Sequence, residues 1–85
     1  MNNLNLDPEE EKLISHVLIL AIHKKRADFT LEDVLKELDE VNSIKLHESE
    51  FLLKKFEEEN LITKDGQLTF LGIAKANEAE KLFSI

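Results

Sequence analysis

Residues 57–77 read EEENLITKDGQLTFLGIAKAN, and the fold turns on how this stretch is read. It runs from a helix end through a tight turn into a new helix start. Asp65-Gly66 sits between two short β-prone runs, and such a pair favours a type I′ turn because both central residues need φ > 0. A turn centred there pairs Lys64 with Gln67, Thr63 with Leu68, Ile62 with Thr69 and Leu61 with Phe70. One face of the hairpin then carries Leu61, Leu68, Phe70 and Thr63, and the other Ile62, Lys64, Gln67 and Thr69. The spacing predicts a two-stranded ribbon lying on helices, apolar side down.

Working outward, Asn60 before the ribbon suits the left-handed residue that ends a helix. A third helix is expected to finish near Glu59, with Leu52, Leu53 and Phe56 inward. Its start is open, since Ser43 is a candidate cap. Thr30 caps a second helix, with Asp33 at the third position and Leu31, Val34, Leu35 and Leu38 on its apolar side. Asp39 and Glu40 sit at the negative end of that helix, which is expected to fray. Asp7, Pro8 and Glu10 form the start of a first helix running to about Lys25. Its expected core stripe is Leu13, Ile14, Val17, Leu18, Ala21 and Ile22. Ile19 and Leu20 exceed one face and suggest a self-association surface. Residues 27–29 are expected as a minimal third strand. A fourth helix is expected from about residue 71. Residues 1–7 read as a tail and 8–85 as one domain.

The 85 residues carry a net charge of −7 and no cysteine. No disulfide or thiolate metal site can form, which fits a reducing compartment. The N-terminus lacks a signal-peptide pattern, and the longest apolar run is too short to span a bilayer, so a cytoplasmic protein is expected. Residues 1–26 hold four acidic and four basic side chains, whereas 27–85 hold fourteen and seven, so the acidic excess lies in the later part. That balance is opposite to the basic footprint that duplex-DNA binding requires.

Helix, short strand, helix, helix, hairpin, helix resembles the winged helix-turn-helix superfamily. The resemblance is carried by FTLEDVLKEL (29–38), LKKFEEENLI (53–62) and QLTFLGIAKANE (67–78), the last with Leu68, Thr69 and Gly72 in the leucine–threonine–glycine pattern that leads from a wing into a C-terminal helix. It implies an α+β domain of four helices with a short two- or three-stranded antiparallel sheet and a wing tip at residues 64–67. It also implies that the third helix and wing face DNA or another partner, through His47, Glu48, Ser49, Glu50, Lys54, Lys64 and Gln67. The chain departs from the superfamily in having Asn60 where glycine is common, and in charge. Residues 47–59 hold five Glu and two Lys, and carboxylates beside a phosphate backbone repel it.

Little else points to chemistry. His16 and His23 are two helical turns apart, roughly 10 Å, too far to share one metal. The consecutive acidic residues point different ways and form no calcium loop or dyad. There is no phosphate loop or GxGxxG. No enzyme activity, cofactor, metal or small-molecule substrate is expected. The expected role is a regulatory module in transcription-related control that acts by protein contact, through its acidic third helix and as a homodimer. The dimer surface would use His16, Ile19, Leu20, His23, Leu82, Phe83 and Ile85. The alternatives are a DNA-binding transcriptional regulator and an acidic mimic of nucleic acid.

Overall fold

The computed structural model describes residues 6–83. Four helices follow one another: α1 (Pro8–His23), α2 (Leu31–Glu40), α3 (Leu46–Glu58) and α4 (Phe70–Phe83). Among the described residues no strand or sheet forms, so the expected α+β winged architecture is overturned in favour of an all-helical domain. The segments on either side of the turn meet at one isolated antiparallel bridge, Ile62 with Leu68. Residues 27–29 form a turn instead of a third strand, with Phe29 N–H donating to the Arg26 carbonyl at 3.0 Å.

The physical reason lies in the turn. Gly66 has φ 83°, but Asp65 is not among the residues with positive φ. The Gly66 N–H donates to the Thr63 carbonyl, and the Thr63 N–H donates to the Gln67 carbonyl at 2.8 Å. The loop therefore has three residues, 64–66, with glycine at the left-handed position, the second common hairpin solution for the same dipeptide. The register moves by one residue relative to the expected pairing, and a one-residue slip changes which side chains share a face. Ile62 and Leu61 are both buried, while Phe70 is 90% exposed.

Thr69 then ends any extension. Its hydroxyl accepts from the Gly72 N–H at 3.1 Å and donates to the Asn60 carbonyl at 2.6 Å. Its carbonyl accepts from Ile73 N–H, so the helical ladder starts at Phe70. Gly72 lies against the backbone of Leu61: a Cβ there would stand 2.0 Å from the Leu61 oxygen. The Leu68, Thr69 and Gly72 pattern thus acts as a helix start docked on the end of α3.

The caps follow the sequence closely. Asp7 accepts from Glu10 N–H at 2.9 Å, and Thr30 with Asp33 forms a reciprocal capping box. The hydrogen bond from Glu10 N–H holds the Asp7 carboxyl below its ordinary value, while the Glu10 carboxyl beside it is pushed up; the Thr30 backbone holds Asp33 down. α2 and α3 end alike. Asn42 and Asn60 have φ 59° and 61°. Ser43 N–H reaches back to Leu38, and Leu61 N–H to Phe56, the two-bond closure that satisfies the last carbonyls. α2 therefore reaches Glu40 without the expected fraying. Asp39 accepts from Leu46 N–H at 3.2 Å, tying the end of α2 to the start of α3.

The core gathers Leu18, Ile19 and Ile22 of α1, Leu35, Ile44, Leu52 and Phe56, Leu61 and Ile62, and Ala76 and Ala79 of α4. α4 packs chiefly on α1, and α2 packs on α3 and α1. Ala76 and Ala79 permit the close approach of α4. The buried stripe of α1 is rotated from the expected one: Ile19 is interior and Leu13 is 53% exposed. Among the described residues no helix is long and apolar enough to cross a membrane.

Candidate functional site

The residues expected to face a partner divide by depth. His47, Glu50, Lys54, Lys64 and Gln67 are exposed. Glu48 is half-buried and turned back, its carboxylate accepting from Lys45 N–H at 3.0 Å to complete one side of a cap. Ser49 is fully buried and presents nothing to solvent. Lys54 and Lys64 do come together at one shallow depression, lined also by Glu57, Asp65, Leu31 and Ile62. Two carboxylates offset the two ammonium groups there, so the wing-side surface holds no excess positive charge.

The basic run at the end of α1 is engaged within the fold. Lys24 pairs with Glu80 of α4 and holds its carboxyl below the ordinary range. Lys25 Nζ donates to the Phe29 carbonyl at 2.8 Å. Arg26 pairs with Asp28 at 3.1 Å, and its guanidinium lies 5.0 Å from the centre of the Phe29 ring. The Lys25 and Arg26 contacts lie within the turn between α1 and α2, whereas Lys24 reaches α4; the Lys24 and Arg26 pairs are exposed.

The expected self-association residues are partly brought together. Leu20 is half-buried beside Val17, Ala21, the Lys24 stem and Phe83, and these line a shallow apolar hollow. Leu82 and Phe83 are 58% and 43% exposed. Ile19 lies in the core, so it takes no part in that surface. Ile85 lies outside the described residues. His16 and His23 are half-buried on the side of α1 nearer α4. Burial chiefly pushes the His16 proton affinity down, and Lys12 and Lys75 add to it against a smaller opposing effect of Glu78.

Sequence reasoning missed several exposed apolar side chains. Leu13 on α1, and Phe70, Leu71 and Ile73 in the first turn of α4, all face solvent. A signal existed for the first of these. Leu13, Val17, Leu20 and Lys24 follow a four-three-four spacing, the seam along which two helices pack. Among the described residues no group of three or more His, Asp or Glu side chains is placed to hold a metal ion.

A scan against protein-family models matched none, and neither the curated proteins nor the solved structures yielded a match.

Proposed function

We propose that this chain is a non-catalytic regulatory module that acts through protein contact, with a second copy of itself as first partner. The observation that carries this is the apolar outer face of α1 with the end of α4: Leu13, Val17, Leu20 and Phe83, three of them on a helical seam. Contiguous exposed apolar surface costs solubility and marks contact sites in folded chains. Two α1 helices related by a two-fold axis would cover each other's seam, the isologous arrangement usual for dimers. Lys24 at the end of the seam can lay its hydrocarbon stem over the partner while its ammonium stays with Glu80.

A DNA-reading role is the second proposal, and the charge distribution weighs against it. The exposed part of α3 remains acidic, and the basic run at the end of α1 is tied to Glu80, Asp28 and the Phe29 carbonyl. A duplex-binding domain gains most of its affinity by neutralising phosphates with free Lys and Arg.

Sedimentation velocity tests the self-association. The wild-type chain should sediment as a dimer at high micromolar concentration. Leu13→Glu, which places a charge at the exposed end of the seam, should give a monomer with unchanged helical circular dichroism. A wild-type chain that stays monomeric over that range rejects the proposal.

A further inference from the structure

α1, the last turn of α3 and the first half of α4 enclose a cleft of about 260 Å³. Ile19, Phe56 and Leu61 supply apolar walls, and Lys12, Lys55, Lys75 and His16 stand around it. In a chain of net charge −7, three lysines line this one hollow against two carboxylates, Glu11 and Glu59. Lys55 is occupied, pairing with Glu11 at 2.8 Å. Lys12 and Lys75 have no hydrogen-bond or ion-pair partner among the described residues. They come from different helices, and both bear on His16, which also feels Glu78 of α4. Glu59 at the end of α3 is the other carboxylate at the edge. With Lys55 matched by Glu11 and one further lysine offset by Glu59, the lining keeps an excess of one positive charge beside a half-buried imidazole, which a single anion would neutralise.

We infer that this cleft binds a small monocarboxylate with an apolar body, the carboxylate lying between Lys12 and Lys75 and the hydrocarbon resting on Ile19, Phe56 and Leu61. The size fits a small ligand: at ~30 Å³ per water molecule the open hollow holds roughly eight or nine waters that an apolar body would displace. The flanking Glu11 and Glu59 favour a single negative charge over a dianion, and the apolar walls favour a body over a bare ion. This face of α1 (Lys12, His16, Ile19) differs from the seam (Leu13, Val17, Leu20), so binding here is independent of self-association.

Hexanoate is a probe of the right size. Titrated at low ionic strength against the isotopically labelled chain, it should shift the amides of Lys12, His16, Ile19 and Lys75 saturably, with Kd on the order of 1 mM. Hexanamide, the neutral counterpart, should bind several-fold more weakly. Lys12→Gln with Lys75→Gln should weaken hexanoate about tenfold, the loss of one or two charge-assisted contacts. Lys36→Gln on the exposed face of α2 should leave it unchanged. Bound hexanoate should also raise the titration midpoint of His16. Equal binding of hexanoate and hexanamide, survival of hexanoate binding in the double variant, or saturation of the same amides by inorganic phosphate as readily as by hexanoate would overturn the assignment.

Discussion

Two single residues concentrate the local physics of this chain. Gly72 sits in the first turn of α4, where alanine would ordinarily be the better helix former by about 1 kcal/mol. Here an added Cβ would lie 2.0 Å from the Leu61 carbonyl oxygen, a backbone atom that cannot swing aside. Gly72→Ala is expected to destabilise the domain by at least ~2 kcal/mol, as overpacking against fixed backbone does. Urea denaturation would show it as a lowered midpoint. Ser49 presents the opposite case. Its side chain is fully buried on α3, and its hydroxyl has no hydrogen-bond partner among the described residues. A hydroxyl stripped of water without replacement is a standing cost. Ser49→Ala removes that group and improves helix propensity, so stability should rise by about 1 kcal/mol. Thermal unfolding followed by circular dichroism checks this: an unchanged or lower midpoint would mean that the oxygen's packing matters more than its missing bond.

At the scale of elements, the caps of α1 and α2 and the end of α3 were legible in the sequence, whereas the start of α3 at Lys45 instead of Ser43, the register and the orientation were not. Asp7, Thr30 with Asp33, and Asn60 act within three or four residues of themselves, and each does what its local chemistry dictates. The 65–66 turn is different, because an Asp-Gly pair satisfies both a two-residue loop and a three-residue loop with glycine last. Leu31 of α2 stands against Gly66, and the Thr69 hydroxyl ties the Asn60 carbonyl, just past α3, to the Gly72 N–H of α4. Leu31 and Asn60 lie outside the turn, so its local pattern could not decide. The consequences run outward from that one residue of slip: the ribbon shrinks to a bridge and Phe70 faces water. The α1 stripe was misjudged in the same way. Ile14, Val17 and Leu18 fit either of two overlapping faces, and α4, forty-six residues downstream of Lys24 at its start, selects the face that buries Ile19. The candidate surfaces inherit these errors, which is why Lys12 and Lys75, sixty-three residues apart, carried no sequence signal as a pair. The two left-handed asparagines offer a test at this scale. Asn60→Gly keeps φ 61° without a Cβ, so it should leave stability unchanged or raise it by a few tenths of a kcal/mol. Asn60→Val should cost more than ~1 kcal/mol. Parallel urea titrations of the two variants separate backbone from side-chain effects.

For the molecule as a whole, charge sets the conditions under which it folds and associates. His16 has a folded-state proton affinity below its ordinary value, caused first by burial and then by Lys12 and Lys75. A base depressed in this way binds fewer protons folded than unfolded, so stability is full above the unfolded pKa of 6.5 and declines as pH falls below it. Asp7, Asp33 and Glu80 are depressed acids, and their contribution is lost only at much lower pH, beneath the ordinary carboxylate values of 3.8 and 4.5. The two windows are separable. His16→Gln should flatten the decline in denaturation midpoint between about pH 7 and about pH 5.5 while leaving the acid limb near pH 3 to 4 in place. An identical slope in the variant would assign the neutral-pH dependence elsewhere.

The packing of α4 on α1 also bears on how the chain is made. Of the four helices described, the one synthesised earliest finds its largest neighbour in the one synthesised latest. Until residues 70–83 emerge, Ile19 and its companions have no lid, and the nascent segment must wait with oily side chains uncovered. The arrival of α4, not gradual accretion, is then the moment at which this domain becomes resistant to proteases and to sticking.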